Sequence, residues 1–233
     1  SGPQRGAMTP TARRGGPRVA VFAFLDLSDG GAQRLTLAAA RHMDRARYRP
    51  VFLCARGGGP LVGAARTSGV RVDELGRLRR SWDVPAIGAI ARRLRDVDAF
   101  VLHVPLYSRA SPYFRLAARL ARTPLVVAHE WCRPEPPSRT RASVDRLLAP
   151  GTRFVAASRA QQADLIAAGV EPDAVAVIDL GIDLDRFAPL AEGAARAALG
   201  LPAERRIVLV PARLHPMKGH VDLLAAVTLV RRR

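Results

Sequence analysis

The sequence predicts an α/β protein built on a parallel sheet. Three observations predict it: short apolar runs alternate with segments of helical spacing, the runs are too continuous in Val, Leu, Ala and Phe to have a wet face, and glycine-bearing turns sit where a run passes into a helix. Runs at 18–24, 50–54, 99–102, 124–128, 154–157 and 175–178 read as strands, and 32–43, 87–94, 114–121 and 160–168 read as helices. Alternation of this kind favours parallel strands joined by right-handed crossovers, so the first five of these runs are expected in one sheet.

The first run, Arg-Val-Ala-Val-Phe-Ala-Phe, leads into the turn Asp26-Leu27-Ser28-Asp29-Gly30-Gly31 and then a helix that offers Leu35, Leu37, Ala38 and Ala39 for packing. Gly30 and Gly31 let the backbone approach a ligand closely, although a double glycine between strand and helix serves a tight connection equally well. Further along, the run at 124–128 ends at His129, which places that imidazole on the carboxyl edge of the sheet, where open α/β folds bind ligands. His103 ends the run at 99–102 in the same way and reads as a structural or acceptor-side residue. After a linker helix at 191–199, Ile207, Val208, Leu209 and Val210 read as a buried strand, and 221–230 as the helix that follows it. Arg213, Lys218 and Gly219 lie in the connection and at that helix start, where free N–H groups and the helix dipole favour an anion such as a diphosphate.

Lys218 is the only lysine, and every other one of the 37 basic side chains counted as Lys or Arg is arginine. An ammonium is a compact point charge and a guanidinium a planar fork, and the two differ most where a phosphate must be reached in a tight space. A lone lysine must fall somewhere, so the argument rests on its neighbours as much as on its rarity.

The turn Gly30-Gly31-Ala32-Gln33, the segment Val177-Ile178-Asp179-Leu180-Gly181-Ile182-Asp183 with Phe187 and Pro189 after it, and Arg213 with Lys218-Gly219 together resemble glycosyltransferase family 4, in that family's order. The resemblance runs from about Arg18 to the end of the sequence. It implies a GT-B architecture, two Rossmann-like domains facing a cleft, and transfer of a sugar from a nucleotide-sugar donor with retention of configuration. Gln33 stands where the family usually has glutamate, and Asp179-Leu180 where it usually has Pro-Asn. The resemblance implies catalytic roles for His129, Arg213 and Lys218, nucleotide-sugar contacts from Gly30, Gly31, Arg213, Lys218 and Gly219, and no required metal or other cofactor. It also implies a pair of spaced glutamates in the second domain, and no glutamate follows Glu204. The sequence is therefore expected to be a fragment, inactive alone, with a basic disordered tail at 1–16, an acceptor-side domain at 17–188, and a linker and truncated donor domain at 189–233.

Composition narrows the remaining classes. An apolar fraction of 48% suits a globular core, no run approaches the roughly 18 apolar residues of a membrane span, and Cys54 and Cys132 alone supply no disulfide framework or cysteine metal site. A cytoplasmic location is expected. The formal charge of +17 admits phosphate backbones as partners, but aromatics are sparse and no nucleic-acid-binding signature is present, so no specific nucleic acid is expected. Arg77, Arg79, Arg80, Arg92, Arg93, Arg95, Arg115, Arg119 and Arg122 suggest a flank for peripheral contact with anionic membrane, with solvated helix faces as the plainer account. The acceptor expected is a glycan, a lipid or a small molecule. A GT-B nucleotide-sugar epimerase and a noncatalytic nucleotide or nucleic-acid binding module are the alternatives.

Overall fold

The structure, a computed structural model, describes residues 16–78, 83–105, 110–130, 147–185, 187–212 and 214–231. They fall into two units, Ser1–Asp183 and Leu184–Arg233. The first unit holds seven strands: β1 Arg18–Phe24, β2 Tyr48–Cys54, β3 Arg71–Glu74, β4 Ala99–Val104, β5 Leu125–Glu130, β6 Thr152–Ala156 and β7 Val175–Val177. They form one sheet in the order β3-β2-β1-β4-β5-β6-β7, and every neighbouring pair is parallel. The six expected runs all lie in it. β3 was not among them, because Arg-Val-Asp-Glu offers a single apolar residue, Val72, and an edge strand needs little more.

The helices are α1 Gly31–His42, α2 Val62–Thr67, α3 Val84–Asp96, α4 Ser111–Ala121 and α5 Arg159–Ala167. Both faces of β1 are covered, which is why its sequence shows no polar alternation. Val19, Val21 and Ala23 join Ile90 and Leu94 of α3 and Phe114 and Ala117 of α4 in one core; Ala20, Phe22 and Phe24 join Leu37 and Ala40 of α1 and Ala65 of α2 in the other. A smaller cluster ties Phe154 and Ala128 to Leu165 of α5.

Local chemistry sets the helix starts. The Asp83 carboxylate accepts from Ala86 N in the first turn of α3 and from Leu78 N, with Pro85 just inside the helix. The Ser158 hydroxyl accepts from Gln161 N while the Gln161 side chain accepts from Ala157 N, a reciprocal cap on α5.

One group expected on a basic flank lies elsewhere. Arg115 is 1% exposed, with its Nε donating to Thr152 Oγ1 at 3.4 Å and its guanidinium 5.5 Å from the Phe154 ring centre. It is part of the core beneath α4, because its position on that helix faces β6 rather than solvent. Arg93 is ion-paired to Asp73 at 2.7 Å, joining α3 to β3. Arg77, Arg92, Arg95, Arg119 and Arg122 are exposed; Arg79 and Arg80 lie outside the described residues.

The second unit contains α6 Glu192–Ala198, a 3-10 turn Pro216–Lys218 and α7 His220–Arg231. The strand expected at 207–210 is not formed: Val208 and Leu209 are each 72% exposed and lie in no sheet. A parallel strand depends on partners for its N–H and C=O groups, and no other strand is present among the described residues of this unit.

Candidate active site

The chain runs outward from β1 through β2 to β3, then returns to place β4 against the other side of β1. Connections leaving β1 and β4 therefore go to opposite faces of the sheet, and a crevice opens at the carboxyl ends of these two strands. The β1–α1 turn sits there. Leu27, fully buried, pins it: Leu27 N donates to Gly58 O at 2.9 Å, and Leu61 N donates to Leu27 O at 3.2 Å. Asp26 Oδ1 accepts from Ser28 N, and Gly30 N donates to Ser28 O.

Gly30 occupies the cap position of α1 with extended backbone, so its φ does not demand glycine. A Cβ there would lie 2.5 Å from Gln33 Oε1, so a larger residue would have to turn the end of the Gln33 side chain aside, whereas a Cβ on Gly31 would meet nothing within 4 Å. Gln33 is 8% exposed and its Nε2 donates to Ser28 Oγ at 3.1 Å, so the residue standing in place of the family's glutamate braces the turn. No side-chain hydrogen bond caps the start of α1 and its first turn carries no acid, an arrangement compatible with an anion there. Beside the turn, Asp29 and Arg34 form an exposed ion pair that holds the carboxyl below and the guanidinium above their ordinary ranges through the hydrogen bond between them.

A cleft of about 170 Å³ opens next to the turn, walled by Phe24, Leu25 and Phe114 and edged by Asp26, Ser28 and Gln33. Its composition, apolar walls with a carboxylate, a hydroxyl and an amide at the rim, suits a ring that presents hydroxyl groups. Asp26 and Ser28 lie in the turn picked out from sequence. Phe114 was not foreseen as a site residue, because it arrives from α4, some ninety positions along the chain.

His129 lies near the carboxyl end of β5, 8% exposed, paired in register with Val155. His103 of β4 pairs with Phe22 on one side and Val127 on the other, so alternation along β5 puts His103 and His129 on the same face of the sheet. Their rings stack with centroids 5.4 Å apart and planes 10° from parallel. Phe22 packs on the far side of His103 at 5.2 Å and against Phe52 at 5.7 Å. Burial pushes the His129 imidazole down to about 4 and, with repulsion from His129, pushes His103 down to about 3. Both shifts favour the neutral imidazole at physiological pH.

In the second unit, Lys218 is exposed at the end of the 3-10 turn, with its N donating to His215 O and Gly219 N to Pro216 O. Gly219 has φ +65, the left-handed conformation that glycine adopts at least cost, and its carbonyl accepts from Leu223 N as α7 begins. The lysine and glycine thus stand immediately before a helix start, as their spacing predicts. Arg213 lies outside the described residues. Among the described residues, no group of three or more His, Cys, Asp or Glu side chains is arranged to hold a metal ion. No helix described is long and apolar enough to cross a membrane.

Residues 29–186, which include Gly30, Gly31 and the stacked histidines, match Glycosyltransferase Family 4. The chain belongs to this family. Relatives named as D-inositol 3-phosphate glycosyltransferases share 47% identity over 62 residues in Saccharomonospora viridis and 34% over 101 residues in Catenulispora acidiphila. These matches cover 26% and 42% of this chain but 14% and 23% of the relatives. The fold agrees with a glycosyltransferase from Rickettsia africae, with a TM-score of 0.74 and 19% identity over 93% of this chain, and with Anabaena HepE in complex with UDP and glucose, with 0.71 and 20% over 90%. The chain spans 58% and 57% of those two solved structures. Its fold is thus the α/β, GT-B type of that enzyme family.

Proposed function

We propose that the complete protein is a retaining glycosyltransferase that takes a nucleotide-sugar donor and works from the cytoplasm on a hydroxyl-bearing acceptor. The observation that carries this reading is the placement of Lys218 and Gly219 directly before the start of α7, in a member of family 4. Helix-start amides and a single ammonium suit the diphosphate of a nucleotide sugar. The UDP and glucose bound by Anabaena HepE agree with that donor class, and the names of the inositol-phosphate relatives agree with a polyhydroxyl acceptor.

In this reading the first unit supplies the acceptor side and Leu184–Arg233 opens the donor side. Lys218 and Arg213 stabilise charge that grows on the departing diphosphate, and Gly219 with its neighbouring amides supplies further donors. The leaving diphosphate takes the acceptor proton on the face from which it departs, so transfer with retention needs no protein base. His129, neutral, contacts the donor sugar through its ring. Gly30 and Gly31 bring the turn close to the ligand, and the Asp26 cleft receives the acceptor ring. Exposed Arg77, Arg92, Arg95, Arg119 and Arg122 give the first unit a positive face for an acceptor at an anionic membrane.

The test is steady-state transfer from UDP-glucose by the complete protein to a panel of neutral polyols, inositol phosphates and lipid-linked sugars, with Lys218→Ala alongside. Loss of a charge aimed at a leaving diphosphate costs about 3 kcal/mol, on the order of a hundredfold in rate. Near-normal turnover in a folded Lys218→Ala enzyme would remove the phosphate assignment.

A further inference from the structure

The stack of His103 on His129 is the site-side end of a continuous aromatic row that crosses four strands. Phe52 of β2, Phe22 of β1, His103 of β4 and His129 of β5 follow one another on one face of the sheet at centroid spacings of 5.7, 5.2 and 5.4 Å. Phe24 adds a second contact to Phe52 at 5.3 Å. Phe52 is fully buried and Phe22 is 6% exposed, so the row is anchored in the core at one end and delivers an imidazole near the carboxyl edge at the other.

Only the last junction brings two rings close to parallel. Phe22 meets Phe52 at 74° and His103 at 45°, whereas His103 meets His129 at 10°. A tilted contact fills space. A parallel one also sets ring face toward ring face, an arrangement that rotation of His129 about its χ2 would give up. His103 Nε2 is buried and makes no hydrogen bond, so at that atom His103 is held by packing, with Phe22 against its ring.

We propose that His103 is a positioning residue, which holds the plane of the His129 imidazole through this stack and so fixes where its ring nitrogens meet the donor sugar. The proposal rests on the assignment of His129 to the donor site given above. It separates His103 from the acceptor-side role that its position on β4 suggests. What the position requires is a flat ring between Phe22 and His129, and a nitrogen at that position is dispensable. Phenylalanine should therefore serve in its place, while leucine, of similar bulk and without a plane, should not.

The test uses the complete protein with histidine labelled at the Cε1 carbon, and the His129 resonance assigned by its disappearance in His129→Gln. In His103→Phe the His129 signal should keep its ring-current displacement. In His103→Leu it should lose that displacement, and its titration midpoint should move toward the ordinary histidine range. Donor kcat/KM should fall about tenfold in His103→Leu and recover in His103→Phe, with acceptor KM unchanged in both, as expected for a misplaced donor contact. If leucine destabilises the fold, His103→Met supplies a second planeless variant, and thermal denaturation selects the one to compare. An unchanged His129 signal in a folded planeless variant would overturn the proposal, as would transfer lost equally in the phenylalanine and leucine variants. Because the resonance is read without turnover, a His129 with no donor role shows itself separately, as normal transfer by His129→Gln.

Discussion

Gly59 lies against Leu27 so closely that a Cβ at Gly59 would stand 2.5 Å from both the carbonyl carbon and the oxygen of Leu27. The contact is backbone on backbone, it joins the loop after β2 to the loop after β1, and Gly59 has φ +146, which disfavours any side chain. Gly59→Ala is predicted to lower stability by about 3 kcal/mol, combining overpacking with backbone strain. It should also displace the turn that carries Asp26 and Ser28. Gly31→Ala, with open space around it, is the control and should be close to neutral. Urea unfolding of both variants checks this, and equal midpoints would refute it.

Arg115 is predicted to matter to folding rather than to surface charge. Removing a buried guanidinium that reaches Thr152 and packs on Phe154 should cost about 3 kcal/mol in Arg115→Ala. Arg92→Ala, on the exposed face of α3, should stay within about 0.5 kcal/mol of the parent. The comparison is thermal denaturation, extended to vesicles of anionic lipid. If the exposed arginines contact a membrane, Arg92→Ala weakens sedimentation with the vesicles.

The histidine pair predicts a pH dependence with a definite sign. His129 and His103 have folded values of about 4 and about 3, below the ordinary 6.5, so between these limits the unfolded chain binds more protons than the folded one. Their neutral forms therefore contribute stability that is complete above about pH 6.5 and is lost as pH falls toward the folded values. Unfolding free energy should drop between pH 7 and pH 5 by the order of 2 kcal/mol per imidazole. His129→Gln should flatten part of that slope. A profile with the same slope in parent and variant would contradict the burial argument.

Lys218→Arg is predicted to be impaired in transfer by the complete protein, though less than Lys218→Ala. Arginine is used at every other position that is lysine or arginine, so a fork that worked here would leave the single lysine without a reason. Steady-state kinetics with UDP-glucose decides it. Full activity in Lys218→Arg would leave the phosphate site standing and remove only the inference from the lone lysine.

The sheet was legible because a doubly covered parallel strand must be apolar on both faces, a demand that writes itself into Arg18–Phe24 and 124–128 without help from distant sequence. β3 and α2 were not foreseen. Each is short, and β3 gains its place from pairing with β2 and from the Arg93–Asp73 ion pair, which no local pattern announces. The same pattern misled at 207–210, where an apolar run was present and partners were not. The placement of Gly30 and Gly31 at the start of α1 and of His129 near a strand end could be read because turn chemistry and strand ends are local. Phe114 and the approach of His103 to His129 depend on which strands become neighbours, and that is a property of topology. Arg115 shows the converse, since a charge in a run of arginines gives no sign that its helix will turn it inward.

The reversal of the strand order between β1 and β4 also shapes how the protein is made. Ala20 finds its partner Val101 roughly 80 residues later, so β1 leaves the ribosome with one flank paired to β2 and the other waiting. At about 5–20 residues per second, β4 arrives some 4–16 s after β1. For that interval β1, an interior strand of the finished sheet, is an unprotected edge, and the nascent β1–β3 part is the stage at which a chaperone would find apolar backbone to hold.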